Sequence, residues 1–298
     1  MPAPFDRAPH KISLHGGHSG QFCDHAVGTL RETVEAAIAF GYHTFGISEH
    51  APRSEERFLY SEERRRGWSV ETLAEMFDAY AQEVHLLARE YADRIVILRG
   101  FEAEVIPDDS YRHEMQALRA AYDWDFVVGS VHYVREIQID GHREEYQRAI
   151  DACGGLEAFV VEYYDAVASM ATALRPEVIG HLDLVRRFAE NDTPLDTPAM
   201  ARAANGALEA IRDVGAVLDV NTAGIRKGLG SPYPAPWLVA RAKDVGVGLC
   251  FGVDSHGPEQ VGEGLEEARE YLRQLGVDAL TGWTRRDGER VRESFSLA

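Results

Sequence analysis

Cysteine is scarce: Cys23, Cys153 and Cys250 are the only three in 298 residues, and they lie far apart. That excludes a disulfide framework and fits a reducing compartment. No run of about 18 apolar residues marks a membrane-spanning helix, and Met1–Lys11 has no apolar h-region of the kind that leads a secreted chain. The expected location is therefore cytoplasmic. Basic charge is short as well, with 31 Lys+Arg against 49 Asp+Glu and a formal net charge of −18. Such a balance opposes non-specific adhesion to nucleic acid or to anionic membrane surfaces. An anionic substrate needs cations placed locally. There is no fixed-period repeat, low-complexity run or Pro/Gly/Ser linker, so the expectation is one domain over residues 1–298 with its core at about 12–275. Common catalytic templates are missing too: no Gly-x-Ser-x-Gly elbow, no Walker-type loop, and no Gly-x-Gly-x-x-Gly after an expected strand.

What the chain does have is 45% hydrophobic residues, enough for a large core, arranged as short β-type runs alternating with helical patterns. That alternation reads as βαβ units around a parallel sheet. The expected strands are Lys11–His15, His43–Ser48, Arg94–Phe101, Phe126–Val131, Glu177–Gly180, Ala216–Val220 and Val247–Gly252. Helical patterns cover Gly28–Phe40, Val70–Tyr91, Tyr111–Tyr122, Leu156–Leu174, Thr197–Val214, Pro236–Val245 and Glu259–Leu275. In Val70–Tyr91, Leu73, Met76, Phe77, Tyr80, Val84, Leu87 and Ala88 recur at three- and four-residue spacing, as one buried face requires. Glu55–Arg66, with four acids and four arginines, reads as a solvated loop or helix with no function beyond a possible lid. Gly282–Ala298 either forms a last hairpin or trails.

In a parallel α/β barrel the site gathers at the carboxyl ends of the strands. Of the twelve histidines, seven fall at or just past expected strand ends: His15, His18, His25, His50, His132, His181 and His256. His10, His43, His85, His113 and His142 do not, and read as ordinary surface or hydrogen-bonded side chains. With Glu102 and Asp254 the seven make nine candidate ligands. Imidazoles mixed with carboxylates suit zinc, manganese or iron. One tetrahedral zinc takes about four ligands, so nine imply two or three divalent ions, Glu102 being well placed to bridge a pair. Closely spaced divalent ions polarise a phosphoryl oxygen and acidify a water. Hydrolysis of a phosphate ester is the chemistry this favours. Cys23, among the ligands, and Cys250, inside an apolar strand, are left outside the set.

The motifs Phe22-Cys23-Asp24-His25-Ala26, Ser48-Glu49-His50-Ala51-Pro52, Gly100-Phe101-Glu102-Ala103-Glu104, Gly129-Ser130-Val131-His132, Ile179-Gly180-His181-Leu182-Asp183, Leu218-Asp219-Val220-Asn221-Thr222-Ala223-Gly224-Ile225-Arg226-Lys227 and Phe251-Gly252-Val253-Asp254-Ser255-His256, in this order, give the chain a resemblance. It resembles the polymerase and histidinol phosphatase (PHP) superfamily, and within it the monofunctional histidinol-phosphate phosphatases, over about residues 12–275. The resemblance implies a distorted (β/α)7 TIM-like barrel holding a trinuclear centre. His15, His18, Glu102 and Asp254 would hold one metal, Glu102, His132 and His181 a second, and His25, His50 and His256 a third. One motif departs from the family's His-x-His: here it reads His15-Gly16-Gly17-His18. Either the extra glycines loop out and leave both imidazoles in place, or one histidine is displaced.

The implied reaction hydrolyses L-histidinol phosphate, a small-molecule ester, to L-histidinol and phosphate in histidine biosynthesis. Arg187 and Arg226 are expected to bind its phosphate, since arginine forks match phosphate oxygens. Arg226 would also absorb developing charge. Asp254 or His256 would protonate the leaving alkoxide. Glu104, two residues from Glu102 and on the same face of an extended strand, would meet the substrate ammonium or steady a ligating histidine. Two other readings stand beside this one. The first is a PHP phosphoesterase acting on another phosphomonoester or a nucleotide; the second is a non-catalytic metal-binding PHP module. The oligomeric state is not readable.

Overall fold

The structure, a computed structural model, describes residues 11–190, 193–286 and 288–297; His10 lies outside them. Eight strands form one sheet: β1 (Ile12–Ser13), β2 (His15–Gly17), β3 (Thr44–His50), β4 (Val96–Ala103), β5 (Phe126–Gly129), β6 (Val178–Ile179), β7 (Val217–Asn221) and β8 (Gly248–Ser255). Their order is β1-β3-β4-β5-β6-β7-β8-β2, and every pairing is parallel. β1 and β2 are two halves of one strand. The first half pairs with β3 and the second with β8, so the chain's first strand joins the sheet's edges and closes a seven-stranded barrel. All seven expected strands are present, the first split at Leu14.

The strands are buried on both faces, as in a parallel sheet wrapped by helices: along β8, Cys250, Phe251 and Val253 are each fully buried. Helices cover the outside and start where the sequence supplies caps. Thr29 and Glu32 form a capping box, Ser69 accepts from Thr72 N, and Thr197 precedes Pro198 at the first helical position. Helix Val70–Glu90 buries Leu73, Phe77, Tyr80, Val84 and Leu87 of the expected stripe.

One element was missed by the sequence reading, and two resolve alternatives it left open. Helix Arg143–Cys153 was not foreseen: its buried residues Tyr146, Ala149 and Cys153 recur at three- and four-residue spacing, but they are only three in a segment dominated by polar residues. Glu55–Arg66 is not merely solvated: it folds into a short 3-10 turn and helix Ser61–Arg66, with Glu63 buried against Arg53. The tail does not trail. Ala279–Arg286 pairs antiparallel with Glu289–Ser296, and Leu280, Trp283, Phe295 and Leu297 join the same hydrophobic core as Ile12 and Leu14, which carries that core past residue 275. The hairpin reaches the amino ends of the strands, Thr284 bonding to Thr44 at 2.9 Å, and leaves the opposite end open.

Candidate metal centre

All nine candidate ligands gather at that open end. His15 lies in β2 and His18 follows it; His50 ends β3, Glu102 lies one residue from the end of β4, and Asp254 lies in β8. His132, His181 and His256 sit in the loops just beyond β5, β6 and β8, and His25 in the loop after β2. The Gly-Gly insertion has a visible function. A Cβ at Gly16 would stand 2.4 Å from Gly46 O, and one at Gly17 would stand 2.1 Å from Ser255 O. Gly17 also has φ +127, a region that favours glycine. The two glycines let the first strand press between β3 and β8 and turn, so that His15 and His18 both enter the centre.

Glu102 is the hub. Its carboxylate lies 2.9 Å from His50 Nδ1, 3.3 Å from His181 Nε2, 3.5 Å from both His15 Nε2 and His18 Nε2, and 3.7 Å from His132 Nε2. Asp254 Oδ1 lies 3.4 Å from His18 Nε2 and 3.7 Å from His15 Nε2. The rings of His25 and His256 are 4.9 Å apart and those of His18 and His50 stack at 3.9 Å. Ligand-capable atoms converge in overlapping groups: His15, His18 and Asp254; His18, His50 and Glu102; Glu102, His132 and His181; and Cys23, His25, His50 and His256.

A ring of carboxylates behind the histidines fixes their tautomers. An ionised carboxylate only accepts, so the nitrogen facing it carries the proton and the other presents its lone pair. Asp219 Oδ2 faces His15 Nδ1 at 2.8 Å, Glu104 Oε2 faces His132 Nδ1 at 2.5 Å, and Asp24 Oδ1 faces His25 Nδ1 at 2.8 Å. Glu49 lies 3.5 Å from His18 Nδ1 and is itself held by the backbone and hydroxyl of Ser19. Among the described residues, His15 Nε2, both ring nitrogens of His18 and His50 Nε2 are buried and have no hydrogen-bond partner. Buried polar atoms are rarely left unpaired. A set of orphaned lone pairs around two carboxylates is what a divalent cation fits.

Residues 14–223 match the PHP domain. The chain belongs to the PHP domain family. It is 35% identical over 277 residues to a Schizosaccharomyces pombe protein named probable histidinol-phosphatase, covering 90% of this chain and 88% of that one. To the histidinol-phosphatase of Saccharomyces cerevisiae it is 28% identical over 294 residues, 87% of each chain. Its fold is similar to the crystal structure of histidinol phosphate phosphatase from Lactococcus lactis subsp. lactis, complexed with zinc, L-histidinol and phosphate: TM-score 0.71 at 22% identity, over 93% of this chain and 98% of that one.

The PHP centre is electrostatically tense. Burial pushes the imidazoles of His18 and His132 down, but the carboxylates around His18 (Asp254, Glu49 and Glu102) lift it to about 9, and Glu104 and Glu102 lift His132 to about 10. His15 is raised well above its ordinary value by Glu102, Asp254 and Asp219, against its own burial. His50 and His256 are held well below theirs, by burial first and then by the charge on His18. Burial alone would raise Glu102 and Asp254; neighbouring imidazoles drive both well below the carboxylate range. The carboxylates that raise His15, His18 and His132 favour positive charge at the centre.

Above the PHP centre opens a cavity of about 890 Å³. His25, His50, Glu102, His132, His181, Asp254 and His256 border it, as do Arg187 and Arg226; Glu104 does not. Glu104 has both oxygens engaged, on the ring and backbone of His132 and on Val105 N, which is the histidine-steadying one of its two expected roles. Arg226 spends its guanidinium on Thr222 Oγ1 and on the carbonyls of Val253 and Asp254 at 2.6–3.0 Å. Arg187 keeps its Nε buried and unbonded. The sequence reading missed further lining groups: Arg57, Arg148 and Lys227 among cations, Asp140 and Glu145 among acids. It also missed Asp24, Glu49 and Asp219 behind the histidines. Only Asp24 carried a local signal, being adjacent to His25; His15 and Asp219 are 204 residues apart. The Glu55–Arg66 segment borders the cavity through Arg57 to Glu62. Among the described residues, no helix is long and apolar enough to cross a membrane.

Proposed function

We propose that this PHP chain is a metal-dependent phosphomonoesterase that hydrolyses L-histidinol phosphate to L-histidinol and inorganic phosphate. One observation carries the reading: nine metal-ligand side chains converge under a polar cavity in a chain 35% identical, over 90% of its length, to a protein named for that activity. We assign His15, His18, Glu102 and Asp254 to one metal site, Glu102, His132 and His181 to a second, and His25, His50 and His256 to a third, with Cys23 beside the last. His-rich sets with a shared carboxylate suit zinc, iron or manganese, and the zinc named in the Lactococcus lactis structure supports that choice. When bound, such ions supply Lewis acidity toward the phosphoryl group and acidify a water near neutral pH.

The protein's own groups do the rest. Arg187 and Lys227 face the cavity, without a carboxylate partner among the described residues, and are assigned to the phosphate, the chemistry on which an otherwise acidic protein must spend local cations. Arg226 holds the backbone of Asp254 while bordering the cavity, so it serves the phosphate by fixing a ligand as well as by its charge. Asp254, in β8, and His256, just beyond it, are both assigned to metal and both held deprotonated, so the expectation that one of them protonates the leaving alkoxide is withdrawn. Asp140 and Glu145 are cavity carboxylates that, among the described residues, neither ligate nor steady a histidine nor pair with a cation: Asp140 has one neutral partner, Gln138 at 3.3 Å, and Glu145 Oε2 has none. They are placed for the substrate's ammonium. The net charge of −18 supports a small-molecule ester over a nucleic-acid end.

The test is to strip the protein of metal, restore zinc, manganese or iron separately, and follow phosphate release from L-histidinol phosphate. Restored turnover is expected. Stoichiometric metal with no turnover of any phosphomonoester would instead make the chain a metal-binding module.

A further inference from the structure

We infer that Asp219 is a positioning residue that holds ligands of two metal sites in register, through the ring of His15 and the backbone of His181. The inference rests on the metal reading above and not on the substrate. Asp219 lies in β7, between the strands that lead to His181 and Asp254, and is fully buried. Its Oδ2 accepts from His15 Nδ1 at 2.8 Å and from Asn221 Nδ2 at 2.8 Å, and its Oδ1 accepts the backbone N–H of His181 at 2.5 Å. The same Asn221 amide lies 3.4 Å from Asp254 Oδ2. Two ligands from opposite sides of β7 therefore meet at one carboxylate, and a third, Asp254, is linked to it through Asn221.

Two further features mark the arrangement as tight. A Cβ at Gly252 would stand 2.6 Å from Asp219 Oδ2 and 3.0 Å from His15 Cβ, so the lack of a side chain there leaves room for the Asp219–His15 pair. His181 has φ +25, a conformation that non-glycine residues hold only when their surroundings over-determine it. The bond from His181 N–H to Asp219 supplies such a restraint. By contrast, Asp24 and Glu104 each serve a single histidine.

The position needs an acceptor-only group. Asparagine has the same shape but one oxygen and one NH2. With its oxygen on His181 N–H, the NH2 opposes Asn221 and forces His15 to carry its proton on Nε2, aimed into the centre. Flipped, the NH2 faces His181 N–H. One ligand is lost either way, and the restraint on the other is weakened.

The experiment compares wild type, Asp219→Asn and Glu104→Gln, each metal-free and then titrated with zinc alone against a chelator, with the bound zinc counted. Loss of an outer carboxylate costs roughly 10–100-fold in metal affinity. Glu104→Gln is expected to weaken one class of bound zinc by that factor, and Asp219→Asn two classes, while circular dichroism of the metal-free variants stays that of the wild type. Wild-type zinc number and affinity in a folded Asp219→Asn would overturn the inference, as would a loss confined to one class. If Asp219→Asn does not fold, Asn221→Ser, which keeps the carboxylate and removes the amide bracing it, decides: a several-fold loss of zinc affinity supports the inference and none overturns it. Zinc retention is read without substrate. A chain inactive on L-histidinol phosphate would sink the proposed reaction and leave this inference standing.

Discussion

Substituting Gly17 by alanine separates two costs that the structure assigns to the same residue. At Gly41, φ is +89 and a Cβ would meet nothing within 4 Å, so Gly41→Ala costs only the left-handed backbone, about 1–2 kcal/mol. At Gly17, φ is +127, and the new Cβ would lie 2.1 Å from Ser255 O and 2.4 Å from Ser255 N. Backbone cannot rotate away as a side chain can, so β2 must part from β8. That breaks His18 N–H to Ser255 O and Ser255 Oγ–H to Gly16 O, both 2.7 Å, at about 1 kcal/mol each. Gly17→Ala should therefore destabilise the metal-free protein by at least about 2 kcal/mol more than Gly41→Ala, measured by equilibrium urea unfolding. It should also lower zinc content, because His15, His18, Asp254 and His256 hang on those two strands, whereas Gly41→Ala should keep it. Equal destabilisation by the two variants, with full zinc in both, would refute the close approach.

Protons compete with metal at the centre. With His18 raised to about 9 and His132 to about 10, these two groups bind protons more tightly in the metal-free fold than in the unfolded chain. Stabilisation from these groups is complete below about pH 6.5 and fades as pH rises through their folded values. Zinc must displace those protons, so its affinity should climb at least about tenfold per pH unit between roughly pH 6 and 8, with proton release visible by calorimetry in buffers of different ionisation enthalpy; a flat profile would contradict the protonation pattern. Replacing Arg187 by methionine removes a charged phosphate donor worth about 1.5–3 kcal/mol. It should lower kcat/KM by roughly 10–150-fold, with zinc content unchanged; an unaltered kcat/KM would remove Arg187 from phosphate binding. Asp140→Asn should reduce the preference for L-histidinol phosphate over the analogue lacking its amine by about tenfold, close to the value of one charge-assisted hydrogen bond. Equal losses on both esters would assign Asp140 a structural role instead.

The barrel was legible because its strands are short, apolar and bounded, and because the ligands sit where those runs stop. His50, Glu102, His132 and His181 could be placed by counting past a strand end. His15-Gly16-Gly17-His18 could not, since whether both rings enter depends on the partner exchange at Leu14, which pairs residues about 30 and 240 positions away. Asp219 and Glu49 were invisible for the same reason: a carboxylate behind a histidine is identified by direction and distance, not by spacing. The cavity wall carrying Asp140, Glu145 and Arg148 was missed with helix Arg143–Cys153, whose buried stripe is only three residues long. Arg226 shows a different limit. Its position at the site was readable, but its donors' engagement with the backbone at Asp254 was not.

The most direct test of the central claim is phosphate release by the zinc-, manganese- or iron-restored protein from L-histidinol phosphate beside sugar, nucleotide and other amino-alcohol phosphates. The account predicts that L-histidinol phosphate wins by about a hundredfold or more in kcat/KM, roughly 2.7 kcal/mol of transition-state discrimination. Comparable turnover across the panel, or a different ester winning, would contradict it.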